Sequence, residues 1–199
     1  MKNRFLATIY KNPQTVFTTA DLALLFPNLN NVSLSRRLRY FVDTQGLIKL
    51  RHGVYAKENY STWELANKLY SPSYISFATI LFRDGVVFQL DSRLYVASYL
   101  TRDIEIASHT FFYHQLKPEI LLNTTGLKEE NNTWVATSER AFLDTLYIFG
   151  NIFFDNLFPL NWDSVFELQD IYQSKVLKKR VASQYKIFQE DYHDHPHTP

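Results

Sequence analysis

The sequence has no cysteine among its 199 residues, which removes disulfides, thiolate nucleophiles and thiolate metal sites together. That suits a reducing cytoplasm, which is the expected location. No run of about 18 apolar residues occurs, so no membrane-spanning helix and no membrane partner are expected. The longest apolar stretch, "FLDTLYIFGNIFF", is interrupted by Asp144, Gly150 and Asn151. The opening "MKNRFLATIYKNPQ" turns polar after Tyr10 and is too short for an export signal. The sequon Asn123-Thr124-Thr125 therefore carries no meaning. Phosphate-cradling loops of the GxxxxGK[ST] and GxGxxG types are missing, as are HExxH and GxSxG. No catalytic residue, cofactor or metal is assigned, and the chain is not read as an enzyme. No internal repeat or low-complexity tract is visible.

Hydrophobic residues make up 46% of the chain and aromatics 16%. That suffices for a packed core and excludes a disordered or fibrous chain. The net charge of +1 conceals an asymmetry. Residues 1–60 hold nine Lys/Arg against three Asp/Glu, a net charge of +6, and the remainder carries −5. A basic module joined to an acidic one fits a polyanion partner for the first and something else for the second.

The basic module alternates helix and turn signals. "RFLATIY" places Phe5, Leu6, Ile9 and Tyr10 on one helical face and stops at Asn12-Pro13. In "TTADLALLF", Thr18 and Asp21 have the spacing of a capping box, and Pro27-Asn28 ends the helix. A third helix begins near Asn31 or Ser33. Leu34, Leu38, Phe41 and Gln45 share its apolar face, with Gly46 at the position that follows a helix C-cap. Arg36 and Tyr40 point roughly opposite that face, and Arg37 and Arg39 flank it. "LIKL" and "VYA" read as strands joined by the basic turn "RHG".

Helix, helix, turn, helix, hairpin is the order of a winged helix-turn-helix, whose second motif helix enters the major groove of DNA. Ser33, Ser35, Arg36, Arg37, Arg39 and Tyr40 are the expected contacts on that helix, with Arg51 and His52 at the wing. Double-stranded DNA is the expected partner.

Beyond the junction "KENYST", "WELANKLY" and "SYISFATILFRDG" read as helices, the latter capped by Ser73 or Ser76 and stopped by Gly85. "VVFQL", "LYVASYL", "TFFYHQL" and "EILLN" read as strands, and "WVATSERAFLDTLYIFG" as a strand end entering a buried helix. "NWDSVFEL" and "SKVLKKRVASQYKIFQEDY" read as helices. The expected fold is α+β. A winged helix-turn-helix over 1–60 precedes a mixed α/β domain over 61–192, with a small, mostly antiparallel sheet and C-terminal helices. A disordered tail over 193–199 follows.

Three landmarks in order resemble the AbiEi antitoxin family of abortive-infection (type IV) toxin–antitoxin systems. They are "RHGVYA" closing the basic module, "SPSYISFATILFRDG", and "ATSERAFLDTL", similar to the family's Ala-Thr-Pro-Glu-Arg-Ala-Leu-Leu-Asp signature. The likeness covers about residues 5–150. Ser138 stands where that signature commonly has proline, a residue suited to a first helical position, so Thr137 is the expected cap. The resemblance implies repression of the chain's own operon through promoter DNA. It also implies counteraction of a nucleotidyltransferase-like toxin encoded beside it, without a stable complex. The alternative is an ordinary winged-helix regulator with an effector-sensing second domain.

The remaining constellations have plain readings. Arg140 and Asp144, at i and i+4, are expected to be a structural ion pair, with Glu139 suiting the helix N-terminus. Asp103-Ile104-Glu105 has the spacing of a two-metal site but no accompanying Gly-Ser turn, so a turn and strand are expected. His193, His195 and His197 fall in the tail, and Lys175 to Lys186 form a solvated basic face.

Overall fold

The computed structural model describes residues 2–89 and 91–194. The first helix, α1 (Lys2–Lys11), buries Phe5 and Ile9 and leaves Tyr10 half exposed. Strand β1 (Val16–Thr18) leads directly into α2 (Thr19–Leu25). Both halves of the expected capping box form: Asp21 N donates to Thr18 Oγ1 at 3.1 Å and Thr18 N donates to Asp21 Oδ2 at 2.8 Å. Helix α3 (Asn31–Asp43) starts after Asn30, whose side chain accepts from Ser33 N. Leu34, Leu38 and Phe41 are buried as the pattern requires.

The end of α3 differs from expectation. Thr44 is the C-cap, Gln45 takes the left-handed conformation (φ 56°), and Gly46 is the residue after it. Gly46 N bonds to Phe41 O and Gln45 N to Val42 O, the paired bonds of a Schellman turn. Gln45 is thus exposed rather than on the apolar face. Glycine at 46 answers to space: a Cβ there would lie 3.2 Å from side-chain atoms of both Leu6 and Phe41.

Strands β2 (Ile48–Arg51) and β3 (Val54–Ala56) form the expected hairpin, and β1 joins them in the order β1-β3-β2. Alternation gives this small sheet two buried faces. Val16, Val54 and Ala56 enter one core, with Leu65 and Ala66 of α4 (Thr62–Leu69). Phe17, with Tyr55 opposite it, faces the other, beside Phe5, Ile9, Leu22 and Leu34. The sheet is the shared wall between the two cores.

The larger core surrounds a six-stranded sheet of order β6-β7-β5-β4-β9-β8. Its strands are β4 (Ser73–Ile75), β5 (Arg93–Ser98), β6 (Arg102–Ile106), β7 (His109–Gln115), β8 (Leu127–Glu130) and β9 (Thr133–Ala136). The sheet is mixed: β4/β5, β6/β7 and β8/β9 pair antiparallel, and β4/β9 and β5/β7 parallel. Helix α4 covers one face, where Tyr113 donates to Ala66 O at 2.9 Å. Helices α5 (Phe77–Arg83) and α7 (Ser138–Phe149) cover the other.

Three segments depart from the sequence expectation. "SYISFATILFRDG" is not one helix: Ser73–Ile75 is a buried strand, and Ser76 precedes α5. "VVFQL" forms no strand over residues 86–89, because the amides of Val86 and Val87 both turn back to Leu81 O; Leu90 lies outside the described residues. "EILLN" contributes to α6 (Pro118–Leu121), where Pro118 sits at the first turn and preorganises the helical φ. The C-terminal helices are α8 (Trp162–Leu168) and α9 (Lys175–Asp194), joined through a short 3-10 turn. Leu177 and Val181 of α9 are fully buried, with Tyr185 and Phe188 packed beside the core. Residues 195–199, including His195 and His197, lie outside the described residues, as does the His193 side chain.

Candidate nucleic-acid interface

Helix α3 presents a polar arc once its apolar face is docked. Arg36, Arg39, Tyr40 and Ser35 are exposed, while Ser33 and Arg37 are half-buried. At 100° per residue, Arg37, Ser33, Tyr40 and Arg36 follow one another around the helix away from the core, and Arg39 and Ser35 lie on the opposite flank. Among the described residues no carboxylate lies within 4.0 Å of Arg36, Arg37 or Arg39. Tyr40 sits edge-on to Phe41, 5.2 Å between ring centres. These are three uncompensated cations and an aromatic phenol on one rigid, capped helix, a surface suited to phosphates and base edges.

The hairpin tip divides its two candidates. His52 is exposed. The tip is tied to the start of α2, where Thr19 N donates to Gly53 O at 2.9 Å. Arg51 instead turns toward the larger core, its guanidinium carbon 5.3 Å from the Tyr70 ring centre. A bulge between Lys49 and Arg51 accompanies this turn, and Leu50 packs on the same core. Tyr70 also accepts from Arg102 Nη1 at 3.1 Å. Burial alone would raise the Tyr70 phenol, but the hydrogen bonds from Arg102 and Arg51 bring it below its ordinary value.

The basic half is fastened to the rest at further points. Glu64 of α4, fully buried, accepts from Thr15 N at 2.8 Å and Thr15 Oγ1 at 2.6 Å. Lys68 of α4 pairs with Asp21 of α2 at 2.9 Å. Burial opposes ionisation of Asp21, but Lys68 and the Thr18 amide and hydroxyl outweigh it and hold the carboxyl below its usual range. No sequence pattern in "WELANKLY" distinguishes Glu64 from a solvated acid; its partner lies 49 residues away.

The residues of "ATSERAFLDTL" make contacts within the fold. Thr137 caps α7, accepting from Arg140 N at 3.3 Å, and Ser138 Oγ donates to Asp84 at 2.6 Å. Arg140 and Asp144 are fully buried, with Nε 3.6 Å from Oδ1. Asp144 accepts from Tyr172, Ser76 and Tyr74 at 2.6, 2.7 and 3.0 Å. Arg140 donates to the carbonyls of Thr125 and Ile120 at 2.8 and 2.7 Å. The two side chains form a buried, multiply hydrogen-bonded clasp between α7, β4 and the segment before α9. Glu139 reaches the amide of Asn161 at 3.1 Å.

Asp103 and Glu105 lie on β6 opposite Phe112 and Thr110, a strand placement. Among the described residues no group of three His, Cys, Asp or Glu is placed to hold a metal ion. No described helix is long and apolar enough to cross a membrane. The basic face of α9 is partly engaged: Lys178 pairs with Asp170, Lys186 with Glu190, and Arg180 donates to Leu146 O at the end of α7. No family model matches this chain, and no curated protein matches it.

Proposed function

We propose that this chain binds duplex DNA as a winged helix-turn-helix protein, with α3 as the recognition helix. Exposed Arg36 and Arg39, with no carboxylate within 4.0 Å among the described residues, carry this reading, on a capped helix that also exposes Tyr40. Further support comes from the strand order β1-β3-β2 beside three helices, with His52 exposed at the hairpin tip. On its resemblance to AbiEi antitoxins, the protein is a non-enzymatic cytoplasmic repressor of its own operon. It also counteracts a nucleotidyltransferase-like toxin encoded alongside. A regulator with an effector-sensing second region is the competing reading, favoured by the firm attachment of α4 to the DNA-facing half through Glu64 and Lys68.

Fluorescence anisotropy of the full chain with duplexes from upstream of its own reading frame tests the first claim. Binding is expected, and Arg36→Ala and Tyr40→Ala are each expected to weaken it by about 1–3 kcal/mol. Unaltered affinity in both variants would remove α3 from the interface. Co-expression with the adjacent reading frame tests the second: growth rescue is expected, and a neighbouring frame without toxicity would favour the effector-sensing regulator.

A further inference from the structure

Arg37 leaves α3 at the border between its docked and exposed faces. Its guanidinium carbon lies 5.8 Å from the centre of the Phe5 ring. There it enters a cleft of about 450 Å³ between α1, α3 and the turn that follows α2. Arg4 and Thr8 of α1 line the same cleft, together with Phe26 and Asn28. Phe5 stacks on Phe26 at 4.1 Å, and both rings, with Leu25, Pro27 and Leu29, give the cleft an apolar lining. No acidic residue lines it, and among the described residues no carboxylate lies within 4.0 Å of Arg4 or Arg37.

Two guanidinium groups in one apolar-lined cleft suit an oxyanion that accepts paired hydrogen bonds. The forks match its geometry, and the apolar lining weakens the screening that water would impose. Arg37 is held against Phe5 before any ligand arrives, so less side-chain freedom is lost on binding. Around α3 the cleft adjoins Ser33, then Tyr40 and Arg36. A duplex seated on that face therefore carries one backbone strand across the cleft mouth.

We propose that Arg4 and Arg37 form a phosphate-binding cleft, and that its phosphate is one of the DNA backbone beside the bases facing Arg36 and Tyr40. This rests on the duplex-binding reading. It separates Arg37, which sets register, from Arg36, which meets base edges. It also brings α1 into the interface through Arg4. A free phosphorylated molecule offers the same chemistry, and a cleft of this volume would admit one.

The test measures the salt dependence of duplex affinity for the full wild-type chain, Arg4→Gln and Arg37→Gln, on promoter and scrambled duplexes. Each variant is expected to lower the slope of log affinity against log salt by about 0.9, with equal weakening on both duplexes. Unaltered slopes, or weakening confined to the promoter duplex, would overturn the cleft while leaving duplex binding intact. A wild-type chain that ignores every duplex at low salt would sink the parent reading, and the backbone assignment with it. Titration with inorganic phosphate and with ATP separates the sources. Saturable sub-millimolar binding lost in Arg4→Gln would assign the cleft to a free ligand and overturn the backbone assignment; its absence supports it. Thermal melts of both variants are expected to match wild type, since Arg4 is exposed and Arg37 only half-buried.

Discussion

Arg140 and Asp144 stand four residues apart, so their pairing is readable from helical spacing alone. Their surroundings are not. Tyr74, Ser76 and Tyr172 come from 28 to 70 residues away, and only the folded sheet brings their hydroxyls to one carboxylate. Truncating one buried partner strands the other charge, so Arg140→Ala is expected to lose about 3–5 kcal/mol in denaturant unfolding. Replacing both partners together with apolar residues of similar volume is expected to lose less than either single truncation. Asp21 gives the pH counterpart. Its folded-state carboxyl lies below the ordinary range, despite burial, because of Lys68 and Thr18. Its contribution is therefore present above the unfolded value near 4 and is lost as pH falls through the lower folded value. Acid unfolding of Asp21→Asn, compared with wild type, is expected to show a weaker fall in stability across that interval. An identical pH profile would contradict it.

At the scale of elements, the end of α3 shows how two neighbouring residues divide a task that sequence assigns to one. Gln45, not Gly46, holds the position after the C-cap and carries the left-handed backbone, and Gly46, one residue later, serves the close approach of α1. Gln45→Gly is expected to stabilise the chain by up to about 1 kcal/mol, by relieving the left-handed strain. Gly46→Ala is expected to destabilise it by about 1–3 kcal/mol through crowding of Leu6 and Phe41. Thermal unfolding distinguishes the two signs. Helices with a full apolar stripe, such as α1, α3 and α9, are legible because several turns repeat the signal. Strands β1 and β4 have three residues each, too few to establish a period of two, and both are buried by partners distant in sequence. "EILLN" looks like a strand by composition, yet the preceding Pro118 sets a helical turn.

For the whole molecule, the charge division between residues 1–60 and the remainder is plain in the sequence, but it does not correspond to two separate cores. Val16, Val54 and Ala56 belong to the same core as Leu65 and Ala66. A fragment ending at residue 60 would expose that face and lose the Glu64 and Lys68 links. It is expected to lack a sharp thermal transition by circular dichroism, whereas the full chain shows one. Glu64→Ala in the full chain is expected to lose about 1–3 kcal/mol, because the Thr15 amide and hydroxyl lose their buried acceptor. The same continuity gives the polar arc of α3 a rigid base, with Arg51 withdrawn to Tyr70 and His52 left at the hairpin tip.

The most direct measurement is an NMR titration of the isotope-labelled full chain with a duplex from upstream of its own reading frame, at low salt. The largest shift changes are expected within residues 31–43, with smaller ones near Arg4 and His52. Unmoved α3 resonances at saturating duplex, or changes confined to the six-stranded sheet, would contradict that expectation.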